Sequence, residues 1–117
     1  MELTINRALQ QGIAAHKEGS LQQAEAAYSR VLEADPNNAD ANHNMGLLAR
    51  QVGKHTKANN FFERAHDAQP DNIAYIRSLV ELLLFQDRLG EVSELLDSQK
   101  HNSSAKNYIS TMLQVML

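Results

Sequence analysis

Sliding this chain along itself by 34 residues superimposes its punctuation. The only two prolines, Pro36 and Pro70, fall together, and so do their settings, Asp35-Pro36-Asn37-Asn38 and Gln69-Pro70-Asp71-Asn72. The same shift places Gly12 on Gly46, Ala15 on Ala49, Gly19 on Gly53, Ala24 on Ala58 and Tyr28 on Phe62. What recurs in these pairs is small or aromatic, the kind of position where close packing decides. A fixed period of this length marks a chain of supersecondary units, each too small to bury its own apolar face and therefore stacked on its neighbour. A single closed core is excluded at once.

Within each period the apolar spacing is helical. Leu9, Ile13 and His16 recur at three- and four-residue steps, as do Leu21, Ala24, Ala27, Tyr28, Val31 and Leu32, which gives one buried stripe per helix and none of the alternation a strand would show. Composition agrees: Ala and Leu occur 15 times each, whereas Val, Ile and Thr total 13. Gly19 and Gly53 are placed to end one helix in a left-handed cap, and Pro36, lacking an amide donor, closes the hairpin that follows. Small residues at Gly12, Ala15, Gly46 and Ala49 permit close helix approach, with Tyr28 and Phe62 filling the gap. Helices are expected at about 4–17, 21–34, 39–52, 55–68, 73–86, 89–99 and 104–117.

The pattern resembles the tetratricopeptide repeat, a family of 34-residue helix-turn-helix units. Gly12, Ala15, Gly19, Leu21, Ala24, Tyr28, Leu32 and Pro36 carry the resemblance in one unit. Met45, Gly46, Ala49, Gly53, Ala58, Phe62, Ala65 and Pro70 carry it in the next. A third unit keeps Leu79, Leu83, Leu89, Val92 and Leu96 but has Val80 for the glycine and Ser104 for the proline. The resemblance implies an all-α, right-handed superhelical stack forming a single domain over 1–117. Its three units would run at about 5–38, 39–72 and 73–106, with a terminal helix at about 104–117.

The same residues hold no pattern that chemistry requires. The five histidines, at 16, 43, 55, 66 and 101, include no pair three or four apart, so no helix offers two imidazoles to a zinc ion. Thiolate chemistry needs cysteine, and there is none. Scattered glycines make no phosphate-cradling loop. Glu91 with Glu94, or Asp87 with Glu91, reads as a solvated helix face before it reads as an acid-base couple, and Ser103-Ser104 reads as a helix N-cap. No catalysis, metal or cofactor is therefore expected. A net charge of -3 gives no basic footprint for nucleic acid. The longest apolar run, Leu82 to Phe85, is far short of the roughly 20 residues of a membrane span. Met1 to Gln11 lacks the continuous apolar stretch of a secretory signal, so a cytoplasmic location is expected.

Stacked hairpins create a concave face lined by the first helix of each unit, able to hold an extended peptide or a partner helix. By resemblance that face carries Asn6, Leu9, Gln10, Ile13 and Lys17, then Asp40, His43, Asn44, Leu47, Arg50 and Gln51, then Arg77, Ser78, Glu81 and Phe85. The expected function is a non-catalytic protein-protein interaction module, an adaptor or scaffold. Its alternative is the repeat region of a larger enzyme such as a glycosyl- or sulfotransferase. One branch of the family grips the C-terminal carboxylate of chaperone tails with Lys, Asn and Arg side chains. At those places this chain has Leu9, Ile13, Asn44, Ala74 and Ser78, and only the asparagine matches, so that mode is not expected. The last helix ends in an apolar stripe. Leu84, Phe85, Met112, Val115, Met116 and Leu117 are accordingly candidates for self-association into a homo-oligomer.

Overall fold

A computed structural model describes residues 2–116, with side chains from Thr4 to Val115. Seven helices follow one another among the described residues: α1 (Glu2–Lys17), α2 (Leu21–Ala34), α3 (Ala39–Gln51), α4 (His55–Ala68), α5 (Ile73–Phe85), α6 (Leu89–Ser98) and α7 (Ser103–Met116). They lie within a residue or two of the expected spans. The pairs α1/α2, α3/α4 and α5/α6 are hairpins stacked along an axis, and the whole measures 42 × 29 × 19 Å.

The turns repeat as the sequence does. Gly19 and Gly53 close the first helices of their units at φ +80° and +81°, where L side chains are strained. In the third unit Asp87 holds the same place at φ 59°, a polar residue of the few that tolerate this region. Between hairpins, Asn38 starts α3 by accepting the Ala41 N–H at 2.9 Å. Asn72 starts α5 by accepting the N–H groups of Ala74 and Tyr75.

Packing explains the glycines inside helices. A Cβ on Gly12 would lie 2.4 Å from the Tyr28 ring, and one on Gly46 would lie 2.4 Å from the Phe62 ring. Both rings are essentially inaccessible to solvent. The third unit solves the same crossing the other way round, with Val80 for the glycine and Leu96 for the ring, both in one apolar cluster. That cluster runs from Ala49 and Phe62 through Leu79, Leu82 and Leu83 to Ala105 and Ile109. A separate one ties α1 and α2 to Ala41 and Leu48 of α3. The core is thus a string of joints between neighbouring units, as a stack requires.

The third unit departs from the period at its C-terminal end, where the N-cap expected at Ser103-Ser104 and the apolar side of α7 are both corrected. α3 to α5 is an advance of 34 residues, but α5 to α7 is one of 30, because α6 has 10 residues where α2 and α4 have 14. The third unit thus loses about one helical turn. Its missing proline and the polar stretch after Leu96 leave nothing to extend α6. The cap of α7 is Asn102, which accepts the Ala105 N–H at 3.1 Å, and Ser103 is already helical. Moreover, the exposed side of α7 is Ser103, Ser104, Lys106, Asn107, Thr111 and Gln114, with Val115 the one apolar exception among described side chains. The apolar residues face inward, Ala105 and Ile109 at 0 % exposure and Met112 and Leu113 packed beside them. Read without its neighbours, α7 looks like an exposed apolar stripe; folded, it is a lid with a largely polar outer surface.

Candidate functional site

Equivalent positions of the first helices form rows that can be followed from α1 through α3 and α5 by steps of 34, then to α7 by 30. One row is Gln10, Asn44, Ser78 and Tyr108. A second is Ile13, Leu47, Glu81 and Thr111. A third is Lys17, Gln51, Phe85 and Val115. Character changes along the face. Its first half is apolar in the middle row and polar at the edge, and its second half reverses that arrangement.

Polar side-chain contacts join adjacent first helices. His16 Nε2 meets Gln51 Oε1 at 2.9 Å, with the Tyr28 hydroxyl 3.5 Å from Nδ1 of the same ring. One joint further on, His43 Nε2 lies 2.7 Å from Ser78 Oγ. The His43 ring is set against Tyr75 at 4.8 Å and Phe62 at 5.5 Å between centroids. Burial lowers its pKa below the ordinary histidine value. Arg50 acts in the same direction, and Asp40 acts against both. The Tyr75 hydroxyl donates to Asp40 Oδ1, and burial together with that carboxylate pushes its pKa well above the usual phenol range. Glu81 collects two partners: Arg50 Nη1 at 3.6 Å and the Tyr108 hydroxyl, which donates at 3.4 Å. The guanidinium of Arg50 also lies over the Phe62 ring at 5.9 Å, and that of Arg77 over Tyr108 at 5.1 Å.

The expected site residues separate on this basis. Lys17, Arg77 and Glu81 are exposed, while Ile13, His43, Asn44, Leu47 and Arg50 are half-buried along the face. Ser78, at 8 % exposure, and His43 serve the joint as much as the surface. Leu9, expected on the groove, is taken into the first core cluster. Leu84, a self-association candidate, is 7 % exposed and belongs to the core of the last joint, so it offers no surface to another copy. Phe85 and Val115 are exposed at 73 % and 74 %, Met112 is half-buried against the core, and the side chains of Met116 and Leu117 lie outside the described ones. Sequence reasoning missed Tyr75, Tyr108 and His55. Tyr108 reaches the face only because α7 begins four residues early, and the shortage of apolar residues between Leu96 and Ala105 was the available signal. His55, from a second helix, stacks its ring on Phe85 at 5.0 Å. With Arg50, Glu81 and Leu82 these two rings line a cleft of about 280 Å³.

Among the described residues no group of three or more His, Asp or Glu side chains is gathered to hold a metal ion, and no helix is long and apolar enough to cross a membrane. What these rows offer is a surface of mixed polarity.

Family models for the tetratricopeptide repeat match residues 8–38 and 27–58. The chain carries tetratricopeptide repeats. Cellulose synthase operon protein C of Komagataeibacter xylinus is 31 % identical over 91 residues, which are 78 % of this chain and 7 % of that protein. Among solved structures, an O-GlcNAc transferase variant from Thermobaculum terrenum superimposes with a TM-score of 0.74 at 27 % identity, over 91 % of this chain and 20 % of the transferase. The first repeat domain of Spaghetti, solved with an HSP90 peptide bound, gives a TM-score of 0.76 at 17 % identity over 99 % of this chain and 95 % of that domain. At that identity the last likeness concerns the fold alone. The chain spans less than a tenth of the curated relative it matches.

Proposed function

We propose that this repeat stack is a non-catalytic interaction module that holds a peptide or a partner's surface along the concave faces of α1, α3, α5 and α7. The observation that carries the reading is the recurrence of Asn44 and Leu47 of α3 at Ser78 and Glu81 of α5, with Arg77 exposed beside them and the side-chain contacts His16–Gln51 and His43–Ser78 joining the first helices. Preorganised side chains of this kind lower the ordering cost of binding. The Spaghetti domain, bound to its HSP90 peptide, supports such a use for the fold. The tail-gripping set is a different matter, because Leu9 and Ile13 supply no donors where that mode needs them. Affinity capture with the wild-type chain beside Asn44→Ala/Arg77→Ala tests the reading. The double variant recovers partners less well, and equal recovery removes those positions from the binding face.

The shares of the relatives favour a second reading, in which the stack is one region of a longer protein that has its own activity. The matched stretch is 7 % of the cellulose synthase operon protein and 20 % of the transferase. An α/β pattern in the coding sequence downstream of residue 117 supports that reading, and further helical repeats support a pure scaffold. Self-association, on either reading, has Phe85 and Val115 as its exposed apolar contributors. Sedimentation of the wild type beside Phe85→Ala/Val115→Ser measures whether they bring copies together.

A further inference from the structure

Arg77, Glu81 and Phe85 stand four residues apart on α5 and so form one stripe, inclined to the helix axis, on its exposed side. The three members are not equally free. Glu81, the only carboxylate of the stripe, is already met by Arg50 and by the Tyr108 hydroxyl. Asp40, the acid of the neighbouring helix, is likewise taken by Tyr75. Arg77 is in neither of the ion pairs formed among the described residues. Its guanidinium lies on the Tyr108 ring, a contact that fixes the plane yet uses none of the five N–H donors. At the other end, Phe85 is 73 % exposed and, with His55 and Leu82, walls the 280 Å³ cleft. The stripe therefore has an apolar seat at one end, an uncommitted cation at the other and a neutralised centre.

We propose that this stripe reads an extended peptide carrying a large apolar side chain and an acidic side chain three or four residues apart, the first seated against Phe85 and the second on Arg77. The inference rests on the concave-face reading above and names its ligand. The spacing follows from geometry. Eight helical residues at 1.5 Å cover about 12 Å, and an extended chain advances about 3.4 Å per residue, so about three or four residues span the stripe. The sign follows from the charges, since a basic ligand finds both acids occupied and an acidic one finds Arg77 preset for bidentate contact. Recognition by side chains also makes a free C-terminal carboxylate unnecessary.

The test uses the intact chain and peptides blocked at both ends, each with one Phe and one Glu in a Gly-Ser background at spacings of one, three, four and seven. Nuclear magnetic resonance follows the rings of Phe85 and His55 and the side-chain N–H of Arg77. Spacings of three and four shift all three together and bind about threefold to fivefold more tightly than the others, the scale of one exposed charge pair. Arg77→Gln abolishes the spacing preference while the Phe continues to bind. Phe85→Ala weakens every peptide by about tenfold, as loss of an anchoring aromatic does. Both residues are exposed, so neither substitution threatens the fold. Equal affinity at all spacings overturns the proposal, as does a peptide that binds only with a free C-terminus, or the absence of saturable shifts at Phe85 and His55 at millimolar peptide. Shifts confined to Asn44 and Leu47 overturn it while leaving the concave face standing, and shifts confined to α2 and α4 overturn both.

Discussion

At the scale of single residues, identical amino acids do opposite things in this chain, and space is what separates them. Gly12 and Gly90 are both helical glycines. A Cβ at the first would collide with the Tyr28 ring at 2.4 Å, whereas one at the second meets no atom within 4 Å. Gly12→Ala is therefore expected to destabilise by about 1–3 kcal/mol, the cost of forcing an ordered aromatic out of a packed site. Gly90→Ala should stabilise by about 0.5 kcal/mol, since it removes only unfolded-state freedom. Asp87 inverts the argument. It occupies at φ 59° the position that glycine holds in the other two units, so Asp87→Gly is expected to gain about 1 kcal/mol of cap strain relief. Urea melts of the three variants beside the wild type give the signs directly. A stabilised Gly12→Ala would show that the Tyr28 ring is not held where the packing places it.

At the scale of elements, the part of the fold legible in the sequence was the part repeated in it. The recurrence of Pro36 at Pro70 and of Gly19 at Gly53 marks the ends of four helices, and the glycine-aromatic pairs mark the close crossings. Legibility failed where the period failed. α6 and α7 lie within a residue of their expected spans, yet the 30-residue advance from α5 to α7 brings Tyr108 beside Glu81 by a route that no 34-residue comparison reveals. Leu84 misled for a related reason: a run of four apolar residues cannot say which member is outermost, and burial chose Phe85. The joints between elements were invisible too, because His43–Ser78 and Tyr75–Asp40 span 35 residues and depend on the stacking angle. These joints carry a pH dependence. His43 and His66 both have pKa values lowered by burial from 6.5. The unfolded chain therefore binds more protons than the folded one between their depressed values and 6.5, and stability falls as pH drops through that window. Above 6.5 the contribution is complete. Denaturation midpoints taken from pH 7.5 to 5 should decline in the wild type. The decline should be shallower in His43→Gln, which has no titrating ring at the joint, and an unchanged slope would assign the effect to His66 or to the carboxylates.

On the scale of the whole molecule, the stack has no central core to hold it together, only successive joints, so its integrity depends on how its last joint is closed. α7 closes it with Ala105 and Ile109, both at 0 % exposure against Val80, Leu82 and Leu83, and turns a mainly polar side outward. Ile109→Ala is accordingly expected to cost about 2–5 kcal/mol, the range for truncating a buried aliphatic side chain. That loss should fall unevenly. Hydrogen exchange in α5, α6 and α7 should accelerate strongly, while α1 and α2, joined through the separate cluster around Tyr28 and Leu48, should keep most of their protection. The variant should also associate at concentrations where the wild type does not, because the apolar flank of α5 becomes transiently exposed. Uniform loss of protection from α1 to α7 would mean that the stack unfolds as one cooperative body, and the picture of independent joints would then have to be abandoned.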